Sequence, residues 1–312
     1  MNSISRRTFL ETATVAALLV SLEPLIARPS SQRTLLIIEL AGGNDTLNTF
    51  IPYRDRSYWQ LRPTLGIKDG IPVSDQVAFH PALKDWKPLF DQGKMAIIQN
   101  VGYPNFSLSH FRAKDIWQSA TPQGSPDSGW LGRYLESTQA RAMDAIFLGD
   151  EYPLALMGKR DRYLQLSPRL GMQTSGKLGQ ALQAVYGTPQ GNPLAEKVRR
   201  SVLENQRAIA NLTQDLKGKI NLSSYPKNRT GQQMALVRRM IAARPDVIYL
   251  AIGGWDTHAN QPRRHQALLE QLSTSISALY RDLQAQGLDR QVLTLVQTEF
   301  GRRPAENGSS GT

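Results

Sequence analysis

Between Asp246 and Gln261 the pattern of apolar and polar positions changes twice. Val247 to Ile252 is an unbroken, β-branched-rich apolar run with no helical period, Gly253 and Gly254 follow, and Asp256 and His258 come next. A short apolar run stopped by glycines reads as a strand buried on both faces of a parallel sheet. The glycines allow a tight turn where the strand ends. In open α/β sheets ligands sit beyond the carboxyl ends of the strands, so this acid and imidazole are site candidates. The structural alternative is that Asp256 caps the next helix and His258 bonds a loop carbonyl.

The same layout recurs on both sides of this stretch. Leu268, Leu269, Leu272, Ile276, Leu279 and Leu283 repeat at helical spacing between Arg263 and Gln286, and Gly287 is a C-terminal stop. The run Val292 to Gln297 then reads as a strand ending in Thr298, Glu299, Phe300, Gly301, Arg302 and Arg303. Two successive parallel strands joined by a right-handed crossover deliver these polar groups to one edge. Near the start, the strand run Thr34 to Leu40 ends in Ala41-Gly42-Gly43-Asn44-Asp45. Taken alone this is a common turn. It lacks the spacing of a dinucleotide fingerprint or a P-loop, which excludes nucleotide binding on that basis.

Further strands are expected at Lys94 to Val101 and Ala145 to Leu148. Helices are expected from Pro81 through Phe90, from Ser109 through Ser119, from Gly129, over Pro193 to Lys217 and over Gly231 to Ala243. Ser109 falls at a helix start, where unpaired amides favour an anion or a developing alkoxide. The plainer reading of Ser109 is an N-cap. Residues 150–190 are irregular and read as an insertion or cap. The whole predicts an α/β fold, a mostly parallel sheet with helices on both faces.

Composition narrows the function classes. The chain has 312 residues, 40% apolar and 20% charged, so a large core is available. Its formal net charge of +11 suits acidic ligands or surfaces. No recognition-helix signature or aromatic-interleaved basic motif appears, so no nucleic-acid partner is expected. With no cysteine, disulfides, thiol nucleophiles and thiolate metal sites are excluded. Ser5-Arg6-Arg7-Thr8-Phe9-Leu10, the apolar stretch Ala13 to Leu22 and the small residue Ala27 form a twin-arginine signal pattern over residues 1–30. It predicts export by the twin-arginine translocase to the periplasm or the exterior.

Six ordered motifs carry a family resemblance. They are Gly42-Gly43-Asn44-Asp45-Thr46-Leu47-Asn48, His80-Pro81-Ala82-Leu83, Ser109-His110-Phe111, Gly129-Trp130-Leu131-Gly132-Arg133, Gly254-Trp255-Asp256-Thr257-His258 with Gln261, and Thr298-Glu299-Phe300-Gly301-Arg302 through Asn307-Gly308. Together they resemble the bacterial domain-of-unknown-function family 1501, exported proteins grouped with the alkaline phosphatase and sulfatase superfamily. The resemblance implies a metal site at the strand ends that hydrolyses phosphate or sulfate esters. By that resemblance Asp45, Asp256, His258 and Glu299 are the metal ligands, Asp256 with His258 on one ion and Glu299 on a second, and Ser109 is the nucleophile. Asn44, His110, Arg133 and Arg302 stand as residues that bind an anionic small-molecule or polymeric substrate. Hard acids with imidazole suit Zn²⁺, Mn²⁺, Mg²⁺ or Ca²⁺. Family members usually continue beyond Gly311-Thr312 with Asp-His-Gly, so the resemblance implies a C-terminally truncated α/β domain over 31–312, with the last strands missing.

Two function classes follow. The first is an exported metal-dependent hydrolase of phosphate or sulfate esters in its full-length form. The alternative is a non-catalytic envelope binding protein on the same fold, motivated by a chain with only four histidines. A redox role finds no support, since cysteine, haem and dinucleotide motifs are lacking.

Overall fold

The computed structural model describes residues 33–312 apart from 125, 139, 141–143, 152, 160–162, 167–179, 182–183, 190, 194, 197–198, 201 and 204–221. The signal pattern and most of the helix expected over Pro193 to Lys217 lie outside the described residues. In chain order the elements are β1 (Thr34–Ala41), α1 (Thr46–Thr49), β2 (Phe50–Ile51), α2 (Arg56–Leu61), β3 (Ile71–Pro72) and β4 (Ala78–Phe79). A 3₁₀ turn, Pro81–Trp86, leads into α3 (Lys87–Asp91), followed by α4 (His110–Ser119), α5 (Trp130–Ser137), β5 (Ala145–Leu148) and β6 (Leu164–Leu166). The series closes with α6 (Arg229–Ile241), β7 (Val247–Gly253), α7 (Gln261–Ala285) and β8 (Val292–Gln297).

Five strands form one parallel sheet in the order β6-β5-β7-β1-β8. The α/β reading is correct, and the two-residue period of a strand explains how both faces are filled. Leu36, Ile38 and Leu40 of β1 and Ile248, Leu250 and Ile252 of β7 belong to a core shared with α6 and α7. Ile37, Val247 and Tyr249 point the other way, to a core closed by Leu131 and Leu135 of α5. Among the described residues no helix is long and apolar enough to cross a membrane.

Some expectations need correction. Residues 94–101 form no strand. They are apolar enough, but they do not pair with the outer side of β8, where the sheet ends. Met95 and Ile97 still pack against the α6–α7 core, while Ile98 is 77% exposed. The helix expected from Pro81 through Phe90 is split at Leu83, whose backbone is non-helical. Within the irregular stretch, β6 adds a three-residue edge strand too short to show a pattern. The antiparallel β2-β4-β3 ribbon was likewise unmarked by periodicity.

Glycine sets how closely α5 approaches its neighbour. A Cβ on Gly132 would lie 2.0 Å from the Met157 carbonyl oxygen. Gly132→Ala is therefore expected to cost roughly 1–3 kcal/mol through overpacking. Urea unfolding checks this: the midpoint should fall with the slope unchanged, and an unmoved midpoint would contradict the packing described.

Candidate metal centre

The site begins where β1, β7 and β8 end. Ala41 pairs with Gly253 across β1–β7, and Glu39 pairs with Gln297 across β1–β8, so the three following loops leave the sheet side by side. Gly42 has φ +124°, and a Cβ there would come within 2.5 Å of the Asp256 amide nitrogen. Gly43, with φ +72°, would meet the Phe300 ring at 2.6 Å. Only glycine permits both the backbone conformation and the contact. The turn after β1 is thus the surface on which the other two loops rest. Glu299 adds a direct tie, accepting from the Gly42 amide at 2.8 Å.

The helix α4 brings a further imidazole to this edge. Gln118 donates to buried Glu39 on β1 at 2.8 Å, and the Lys114 ammonium lies 3.4 Å from the other Glu39 oxygen. Tyr249 donates to Glu39 as well. Burial opposes the Lys114 charge, but Glu39 and Glu151 outweigh it and raise its pKa. Trp117 donates to the Glu299 carbonyl at 2.7 Å. These contacts fix the helix so that its first residue, His110, lies over the loops.

His110, Asp256 and His258 form the candidate cluster, each offering a ligand atom within 4.8 Å of the others. Asp256 Oδ1 lies 2.9 Å from His258 Nε2 and 3.6 Å from His110 Nε2. Ligands of one tetrahedral zinc with bonds near 2.1 Å sit about 3.4 Å apart, which the 3.6 Å separation of Asp256 from His110 matches, while 2.9 Å to His258 Nε2 is a hydrogen-bond distance. Glu299, 1% exposed, contacts His110 Nδ1 at 2.9 Å. Its carboxylate holds the proton on Nδ1 and leaves the Nε2 lone pair facing Asp256. Two acceptors then oppose each other at 3.6 Å, an arrangement that a cation between them relieves.

Arg302 fills the other side of the cluster. Its Nη1 donates to Asp256 Oδ1 and its Nη2 to His258 Nδ1, both at 2.7 Å. The guanidinium also donates from Nε to the Thr312 carbonyl at 2.9 Å and from Nη1 to the Gly42 carbonyl at 3.3 Å. With Nε2–H directed at Asp256, His258 presents its Nδ1 lone pair to Arg302.

The remaining residues singled out in the sequence lie around this centre in other roles. Asp45 is fully buried and takes two hydrogen bonds from Arg62, at 2.6 and 3.0 Å. Gln261 Nε2 donates to the same carboxylate, and Gln261 Oε1 accepts from Thr257 at 3.2 Å. Asp45 therefore braces the residue between Asp256 and His258. Asn44 Oδ1 accepts from His265 Nε2 at 2.8 Å, and the Asn44 amide donates to Thr298 at 2.9 Å. Ser109 is the N-cap of α4, its hydroxyl accepting from the Arg112 amide at 3.5 Å. Arg133 donates to the Ser119 and Ser128 carbonyls, tying α5 to the end of α4. Asp256 caps no helix, since the residue before α7 is Asn260.

Sequence reasoning gave His110 to substrate and Glu299 to metal, whereas the geometry puts His110 in the cluster and Glu299 behind it. It did not single out Arg62 or His265 as a site residue, and it quoted Thr257 without a role. His265 is buried beside His80 and Trp255. Its place among the buried positions of α7, with Leu269 and Leu272 one and two turns on, was the available signal.

A family model described as "Protein of unknown function (DUF1501)" matches residues 91–312, more than half of the chain. No curated protein and no solved structure matches.

Burial pushes the His265 pKa down from 6.5 to about 4, with Asp45 opposing the shift and His80 and Arg62 adding to it. Between those values the unfolded chain binds a proton that the folded chain refuses, so stability is full above pH 6.5 and is lost as pH falls toward 4. The loss should approach roughly 3 kcal/mol. His265→Gln, which cannot titrate, should flatten that limb in urea midpoints measured at pH 7, 5.5 and 4. An equally steep limb would contradict this. Asp45→Ala leaves the Arg62 charge buried without its carboxylate and should cost about 3–5 kcal/mol, read as a lower melting temperature.

Proposed function

The chain belongs to the DUF1501 family, and we propose that it is an exported metal-dependent hydrolase of phosphate or sulfate esters. The observation that carries this reading is the convergence of His110, Asp256 and His258 beyond the strand ends. The donors come from a helix start and from the loop after β7, so the fold pre-positions them. Their mixed imidazole and carboxylate chemistry suits Zn²⁺, Mn²⁺ or another divalent ion. Bound there, such an ion would polarise an ester oxygen and lower the pKa of an attacking hydroxyl or water.

The chain's own groups supply orientation and charge. Glu299 keeps the His110 proton on Nδ1, so Nε2 is the nitrogen available to a cation. The Asp45–Gln261–Thr257 chain of hydrogen bonds steadies the loop between the two other ligands. Arg302 offers a planar pair of donors matched to two oxygens of a phosphate or sulfate. The net charge of +11 favours the approach of such anions. In this reading the twin-arginine signal sends the folded protein to the periplasm or exterior, and Ser109, exposed at the start of α4, is the hydroxyl to test as nucleophile.

Elemental analysis of the purified protein tests the proposal. The parent should retain a divalent metal in stoichiometric amount, and the Asp256→Ala/His258→Ala double variant should lose it. Aryl phosphate and aryl sulfate esters should then be cleaved by the metal-loaded parent, with activity falling at least a hundredfold in the double variant. A folded, metal-free parent would reject the hydrolase and favour a binding protein on the same fold.

A further inference from the structure

Asp256 Oδ1 and the His258 Nδ1 lone pair are the donors a cation needs, and both are held by one guanidinium at 2.7 Å. The side chain of Arg302 is 3% exposed, so water does little to screen it from these partners. A divalent ion cannot share those donors with a guanidinium at that distance, because its ligand bonds of roughly 2.1 Å put it in the same space with the same sign of charge. Nε and Nη2 also donate to the Thr312 carbonyl and Nη1 to the Gly42 carbonyl, so each outer nitrogen gives one N–H to the backbone and one to the cluster. The backbone contacts anchor the side chain when the N–H groups on Asp256 and His258 are released.

We propose that Arg302 is the resident counter-cation of the site, and that a divalent metal binds by displacing its guanidinium, which then serves as the anion receptor. The inference rests on the metal-site reading above and adds a coupling to it. In the metal-free state the fork is spent on Asp256 and His258 and cannot receive an oxyanion. Displacement frees its two outer N–H groups beside the bound ion, where phosphate or sulfate oxygens suit a bidentate fork. Metal and anion must then favour one another reciprocally, each raising the affinity for the other by the same factor. Asp256 and Arg302 balance one another without metal, and the excess positive charge that a divalent ion brings is offset when a doubly charged oxyanion binds.

Titration calorimetry with Zn²⁺ tests this, with and without sulfate, on the parent, Arg302→Gln and Asp256→Ala, the last marking binding elsewhere. Arg302→Gln removes the competing charge and should bind Zn²⁺ on the order of tenfold tighter than the parent. Sulfate should tighten Zn²⁺ binding several-fold in the parent and leave Arg302→Gln unchanged. Equal zinc affinity in parent and Arg302→Gln, or a sulfate effect that survives the substitution, overturns the displacement while leaving the metal site standing. Zinc binding no stronger in the parent and Arg302→Gln than in Asp256→Ala overturns both. If Arg302→Gln does not fold, Arg302→Lys takes its place. Its ammonium cannot span both donors, so zinc affinity should rise by a smaller factor and the sulfate effect should shrink. A folded Lys variant that matches the parent in both respects also overturns the proposal.

Discussion

The constraint on which the rest depends is the parallel pairing of β1 with β7 on one side and β8 on the other. Because all three strands run the same way, their carboxyl ends share one edge, and the loops after them cannot avoid one another. Gly42 and Gly43 settle how closely they meet, since any side chain there would collide with the Asp256 backbone or the Phe300 ring. The cores on the two faces are ordinary apolar packing, and their role for the site is to hold this edge in register.

Charge is organised in layers around that edge. Deepest is the Asp45–Arg62 pair, closed off from water and completed by Asn48, Gln261 and the Arg303 and Pro304 carbonyls. A buried pair of this kind gains little net stability but leaves a large penalty if one partner is lost, which suits a brace. Next come Glu299 and Glu39, both nearly buried, which orient His110 and hold α4. Outermost are Asp256 and His258, with side chains 46% and 67% exposed, where a ligand can reach them. Rigid groups therefore lie beneath accessible ones, the order a pre-organised site requires.

Much of the fold could be read from periodicity. β1, β7 and β8 each show a dense apolar run ended by glycine or a polar cluster, and α7 repeats its leucines at helical spacing, so their type and their shared edge followed. Residues 94–101 look the same in composition, yet they do not pair with β8; strand formation is settled by packing against neighbours, which composition does not encode. The site was legible in part. Asp256 and His258 are close in sequence and belong to one turn. The partnership of His110 with Glu299 spans 189 residues, and that of Asp45 with Gln261 spans 216. At such separations only the register of the sheet decides which acid meets which imidazole. Asp45 follows a glycine turn much as Asp256 does, but it points into the protein, where Arg62 meets it.

The central claim is that two imidazoles and one carboxylate, His110, His258 and Asp256, hold one divalent ion. X-ray absorption at the zinc edge of zinc-loaded protein tests it most directly. The account predicts the scattering signature of two histidine imidazoles with oxygen completing the shell, falling to one imidazole in His110→Ala. A shell of oxygen alone, or a two-imidazole signature that His110→Ala leaves intact, would contradict it.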